Sequence, residues 1–347
     1  MPSASALIAL QERYLLNKLI GQGDNANVYR AMDMEQRQVV AVKRYDQRLR
    51  RDVRFVAHFR REARLACTFD HPHVHRTLSY GYADDAYYTV SPYARGGNIG
   101  PLLAVGRGPV PAETMRVFAE ICAGLAYIHQ RGLLHRNLKP ANVLLHADGR
   151  AVVADVGLTH QVGSSDLTMT VATLGAITYF SPEHILGQAL SPASDIYAVG
   201  LMLYQACAGR LPFIEDSPLA LARRQLRDAP PPPRTFNPEV SPDLEQVVLH
   251  CLEKSPAARY AGAYELAQAL ALCPESADLP RWPAPVMEPP EDTDAGAAAA
   301  RGDYVAVADR TEVSFVVAPS PAAHDGLMQS LQRNALCLLI GSDDDTL

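Results

Sequence analysis

Two groups of oxygen- and nitrogen-bearing side chains stand close together in the middle of this chain. His135-Arg136-Asn137-Leu138-Lys139-Pro140-Ala141-Asn142 is followed, thirteen residues after Asn142, by Asp155-Val156-Gly157. Asn142 and Asp155 supply an amide oxygen and a carboxylate, hard donors of the kind that suit Mg2+. Lys139 lies two residues past Asn137, where its ammonium can meet a phosphate. Asn137 is more limited. Its amide can accept a hydrogen bond and orient a hydroxyl, but at neutral pH it takes up no proton.

A second set lies upstream. Gly21-Gln22-Gly23-Asp24-Asn25-Ala26-Asn27-Val28-Tyr29 follows a strand-like run. Glycines at 21 and 23 let backbone amides approach triphosphate oxygens that a Cβ would hold off. Ala26, in place of a third glycine, stiffens the loop. Lys43 closes Val40-Ala41-Val42-Lys43 and can carry an ammonium to α- and β-phosphates. Glu62, nineteen residues later in Arg60-Arg61-Glu62-Ala63, is placed to hold that ammonium as an ion pair. Each piece alone also has a plain reading: a hairpin, a surface lysine, a solvated helix face, a turn asparagine, a strand end.

These residues need elements to hold them. From Tyr14 to Lys43 the pattern is strand-like with Gly-rich punctuation, and Val39 to Val42 is a short buried strand. A charged helix is expected over roughly Val53 to Phe69, and a strand over Tyr87 to Val90, closed by Pro92. Pro111 suits a first helical turn, Glu113 the positive end of its dipole and Gly132 its stop. Met115, Phe118, Cys122, Leu125 and Ile128 recur at spacings of three and four and mark its buried face. Asp148-Gly149 between Asn142–Leu145 and Ala151–Ala154 predicts a hairpin. Further helices are expected at Ala193–Ala208, stopped by Gly209, and at Asp243–Glu253 and Ala263–Leu272.

The chain has 347 residues, 48% of them apolar, and a net charge of −6. That length fits one large two-part domain with a tail, or two medium ones. A pI near 6.0 gives no basic field of the kind that draws nucleic acid. No apolar run approaches the ~20 residues that span a bilayer, and Met1–Leu10 lacks the basic start of a secretory signal. The six cysteines are scattered with no C-x-x-C pair, as in a reducing compartment, so the expected setting is cytoplasm. Residues 1–13 read as an N-terminal extension, 14–272 as the main domain, 273–302 as a Pro/Ala-rich linker and 303–347 as a tail. Within that tail Tyr304–Val307 and Glu312–Ala318 are strand-like, and His324–Ile340 has the pattern of a short amphipathic helix.

Taken in order, these motifs resemble the eukaryotic-type Ser/Thr protein kinase family over roughly Tyr14 to Leu272. Ser181-Pro182-Glu183 looks like the family's A-P-E element, with Arg259 as its ion-pair partner. Ser194-Asp195-Ile196-Tyr197-Ala198-Val199-Gly200 looks like the helix whose aspartate anchors the catalytic-loop backbone. His71-Pro72-His73-Val74 resembles the turn after the first helix of the small lobe, which argues against reading His71, His73 and His75 as a metal cluster. The resemblance implies an α+β, bilobal fold with a small β-rich N-lobe, a larger helical C-lobe and a Pro-rich C-terminal tail. It implies ATP and Mg2+ as ligands, Asn142 and Asp155 as metal ligands, and Lys139 against the transferring phosphate. Gly21, Gly23, Val28, Ala41, Lys43, Glu62 and Leu144 are carried over as nucleotide-binding positions. Pro92 and Ala94 are expected to offer adenine a carbonyl and an amide, behind a small gatekeeper, Ser91.

Two departures stand out against the family. Asn137 replaces the aspartate that accepts the proton of the attacking hydroxyl. Ala176, in Gly175-Ala176-Ile177-Thr178-Tyr179-Phe180, replaces a threonine whose hydroxyl bonds that aspartate and Lys139. Losing both suggests a relaxed catalytic loop. The expectation is an ATP-binding pseudokinase working through protein interactions, with a slow but active Ser/Thr kinase as the alternative. Arg136 is retained and can pair with a phosphorylated Thr168, Thr170 or Thr173. A protein substrate or a partner kinase is the expected macromolecular partner.

Overall fold

Strands fill the first part of the chain and helices the rest, in a computed structural model that describes residues 8–10, 13–23, 25–103, 108–156 and 177–279. Asp24, Gly157, Thr168, Thr170, Thr173, Gly175, Ala176 and the chain from Pro280 onward lie outside the described residues.

Six antiparallel strands form the first sheet: β1 (Ile8–Leu10), β2 (Tyr14–Gln22), β3 (Ala26–Asp33), β4 (Gln38–Tyr45), β5 (Ser79–Ala83) and β6 (Ala86–Pro92), in the order β1-β2-β3-β4-β6-β5. Alternation along β4 decides what faces what. Val40 and Val42 point into a core with Leu10, Leu16, Ala31, Tyr88 and Val90. Ala41 and Lys43 take the opposite face, which is the wall of a cleft.

Helix α1 (Val53–Ala66) starts where the Asp52 carboxylate accepts from the amides of Arg54 and Phe55. Its buried face, Phe55, Phe59, Ala63 and Ala66, packs beside Tyr45 and Tyr87, with ring centroids 4.9–6.0 Å apart. The helix ends three residues short of Phe69, because the Thr68 hydroxyl turns back onto the Leu65 carbonyl at 2.7 Å. Phe69 instead packs edge-on against Tyr127.

A strand pair and short turn follow: β7 (Gly97–Asn98), then α2 (Gly100–Leu103). Helix α3 (Ala112–Gln130) is preceded by Pro111 as its cap and buries all five residues of the predicted stripe. Strands β8 (Val143–Leu145) and β9 (Ala151–Val153) form the predicted hairpin, with Gly149 at φ +81° in the turn, and join β7 in a second sheet. Then come α4 (Pro182–Ile185), α5 (Pro192–Ala208), α6 (Pro218–Arg227), α7 (Pro242–Cys251) and α8 (Ala263–Ala271). Helix α5 is buried along almost its whole length and ends at Gly209, φ +69°. Cys273 to Leu279, expected from composition to begin the linker, are packed chain. Cys273 and Ser276 are buried, and Glu275 accepts from both the amide and hydroxyl of Ser241.

Helix α3 runs so close to the His71–Val74 turn that a Cβ at Gly124 would lie 2.3 Å from the His73 carbonyl oxygen. A Gly124→Ala substitution is therefore expected to lower unfolding stability by about 1–3 kcal/mol, as overpacking typically does. A urea melt reads this directly. An unchanged midpoint would mean that the turn yields without cost.

Candidate functional site

The two sheets and the helical body enclose a cleft of about 640 Å³. Gly21, Gly23, Val28, Ala41 and Lys43 line it from β2–β4, and Pro92 and Ala94 from the segment joining the two parts. Asn137, Lys139, Asn142, Leu144 and Asp155 line it from below. Residues up to 134 positions apart in sequence are thus gathered on one cavity. Glu62 is not among them.

The loop carrying Asn137 and Lys139 is held from three sides. Asp195, in the first turn of α5, accepts from the amides of His135 and Arg136, both at 2.9 Å, and from His129 Nε2 at 2.8 Å. These bonds sustain Arg136 at φ +66°, a region an L-residue seldom occupies. Burial alone would raise the Asp195 carboxyl, but its bonds to His129 and His135 hold it low. The buried His135 ring bonds the Ala154 carbonyl through Nε2 at 2.9 Å. Asn142 donates from Nδ2 to the Asn137 carbonyl at 2.8 Å, and its own carbonyl accepts from the Ala154 amide. The relaxed loop expected from the loss at positions 137 and 176 is therefore absent. The backbone is fastened by groups that do not involve the side chain at 137.

The expected Lys43–Glu62 pair is also absent. Lys43 Nζ lies 2.8 Å from Asp155 Oδ2. Burial works against both charges, but their mutual attraction and hydrogen bond prevail, raising the lysine and lowering the aspartate. Glu62 Oε1 instead meets His58 Nε2 at 2.9 Å, one helical turn away on α1. Two partners at favourable spacing have outcompeted the predicted one. Burial raises the Glu62 carboxyl to about 7, with Arg136 and Arg61 pulling it down. A charged His58 pulls the same way.

The donor set fits a hard cation. Asn142 spends its Nδ2 on the loop, which leaves its amide oxygen as the ligating end, and Asp155 carries an ionised carboxylate in the same cleft. Sequence reasoning missed the rear wall, where Tyr45, Phe69, His75, Thr77, Thr89 and Val156 lie beyond Ser91. His75 is pushed down to about 4, chiefly by burial and then by His146, with Asp155 opposing. Its place is set by the Val153 carbonyl, which accepts from its amide at 2.8 Å. No short-range signal announces such a contact.

On the far side of the helical body Arg259 grips Glu183 with two bonds of 2.8 Å each, as expected. It also donates to the carbonyls of Ala193, Glu253 and Lys254. No helix among the described residues is long and apolar enough to cross a membrane.

Residues 14–271 match the protein kinase domain family. Over 267 residues the chain is 38% identical to a probable serine/threonine-protein kinase of Streptomyces coelicolor, covering 75% of this chain and 40% of that protein. It is 34% identical over 263 residues to the serine/threonine-protein kinase PknB of Mycobacterium tuberculosis, covering 74% and 42%. The chain thus spans about two-fifths of the length of these curated relatives. Among solved structures, the kinase domain of Mycobacterium tuberculosis PknI superposes with a TM-score of 0.60 at 26% identity, covering 78% of this chain and 97% of that one.

Proposed function

Starting from a chain that belongs to the protein kinase family, we propose that it binds Mg-ATP in this cleft and works mainly through protein interactions, with strongly impaired phosphotransfer. The observation that carries this reading is an asymmetry within one cavity. The groups suited to nucleotide and cation are present, while position 137 holds an amide in place of a base.

Bound Mg2+ would supply charge neutralisation at the phosphates, held by Asn142 and Asp155. The chain's own groups supply the rest. Gly21 and Gly23 bring backbone amides toward phosphate oxygens. Pro92 and Ala94 offer a carbonyl and an amide to adenine, and Val28, Ala41 and Leu144 give it apolar walls. Lys43 and Lys139 carry ammonium groups into the same space. Asn137 can orient a substrate hydroxyl but keeps no proton from it.

The alternative is a slow Ser/Thr kinase, and one observation favours it. The loop holding Asn137 and Lys139 is fastened as firmly as a working loop requires, through Asp195 and Asn142. In either case the macromolecular partner is a protein, a substrate or a second kinase. A cytoplasmic setting accords with the five described cysteines, all free thiols and four of them buried.

Binding comes first. Titration calorimetry should show Mg-ATP binding by the wild-type protein, weakened by EDTA. Lys43→Met and Asp155→Ala should each lose about 10–100-fold, the cost of a charged hydrogen bond of roughly 1.5–3 kcal/mol. Folded wild type with no measurable affinity would remove the proposal.

A further inference from the structure

The acidic groups around Lys43 have exchanged the partners that their spacing suggested. Lys43 rests on Asp155, and Glu62 rests on His58. Glu62 is largely enclosed, with 17% of its side chain exposed, and its Oε2 is buried without a hydrogen-bond partner. The carboxylate is thus half satisfied, and a second donor would stabilise it. The charged and titratable groups facing it are Arg61 on its own helix, Arg136 from the loop below, and Tyr45 at the end of β4. None of these gives Oε2 a hydrogen bond. Helix α1 is itself fixed by Phe55 and Phe59 against Tyr45 and Tyr87, so side-chain choice, not helix rotation, selects the partner of Glu62.

We infer that His58 is a positioning residue, whose ring keeps the Glu62 carboxylate away from Lys43 and so leaves that ammonium clamped on the metal-ligating Asp155. The inference rests on the nucleotide-binding reading and adds a restraint on that same site. With Lys43 on Asp155, part of the aspartate's negative charge is neutralised and one of its oxygens is occupied. A cation that takes Asp155 must displace the ammonium. The displaced ammonium needs a new carboxylate, and Glu62, with a spare buried oxygen, is the one the fold provides. His58 holds it back. The two contacts therefore form a coupled pair: Lys43–Asp155 with His58–Glu62, against Lys43–Glu62 with Asp155 free for metal.

The experiment is Mg-ATP titration of the full chain as wild type, His58→Leu, His58→Gln, His58→Leu/Glu62→Gln and Lys43→Met, each with its melting temperature. Removing the ring should tighten binding by about 3–10-fold, the gain expected when a competent state of roughly 10–30% becomes dominant. His58→Gln keeps a donor one turn from Glu62 and should restore wild-type affinity. The double variant should lose the gain, since no carboxylate remains to receive Lys43. A purely structural His58 would not produce this pattern of gain, rescue and loss. Should leucine disturb the fold, His58→Ala serves in its place. Unchanged or weaker binding by a folded His58→Leu protein, with Lys43→Met still abolishing binding, overturns the restraint and leaves the nucleotide reading standing. Absence of binding by every folded variant overturns both.

Discussion

Asn137→Asp is expected to raise transfer of the γ-phosphate from Mg-ATP by about 10²–10⁴, the usual contribution of a positioned general base. Aspartate and asparagine are nearly isosteric, and the bonds that shape the loop come from the backbone. The Asn137 amide meets His135 Nδ1 at 3.3 Å and its carbonyl accepts from Asn142. The new carboxylate would therefore appear in a cleft that already holds Lys139 and Asp155. Labelled ATP with a generic protein substrate gives the readout, with Asp155→Ala as the blank. Incorporation by wild type as fast as by the Asp variant would show that no base is needed, and the reading of impaired transfer would fall. Phosphoryl transfer passes through a loose transition state, so some wild-type activity above the blank would identify the slow-kinase alternative.

The second large effect concerns stability. Arg259→Ala is expected to cost about 3–5 kcal/mol, because it strips a buried carboxylate of its partner. The Arg259 side chain is 0% exposed and that of Glu183 4%. The carbonyls of Ala193, Glu253 and Lys254 lose a donor at the same time. Chemical denaturation at neutral pH measures it, and a loss below about 1 kcal/mol would show that water replaces the guanidinium. The same pair gives an acid signature. Burial would raise Glu183, but bonds from Arg259 and Ser194 hold it at about 2, below its ordinary 4.5. A depressed carboxyl stabilises the fold above its unfolded value and loses that contribution as pH falls toward 2. In Glu183→Gln the acid-induced loss over that window should shrink.

Much of this was legible in the chain because punctuation and period were clear. Gly209 and the proline starts framed α5, the three-and-four spacing framed α3, and Asp148-Gly149 framed the hairpin. The cleft residues were legible as an ordered set, since each motif names its own place in the fold. The failures share a cause. Whether Lys43 meets Glu62 or Asp155 is a competition settled by a few ångströms in space. Spacing along the chain gives the candidates and not the winner. The firmness of the loop depends on Asp195, sixty residues from His135, and on an amide bond from Asn142 to a backbone oxygen. The rear wall draws His75, Thr77 and Thr89 from segments whose sequence reads as turn and strand.

Asp195 has one further consequence. Because it accepts from the amides of His135 and Arg136, it fixes the shape of the loop independently of the side chain at 137. Shape and reactivity can then be inherited separately. The codons for asparagine and aspartate differ by a single base, so a lineage that keeps Asp195 can lose the carboxylate and regain it without refolding the loop. The silent form becomes a reversible stop in descent, with the scaffold kept in working order by an aspartate that never touches the substrate.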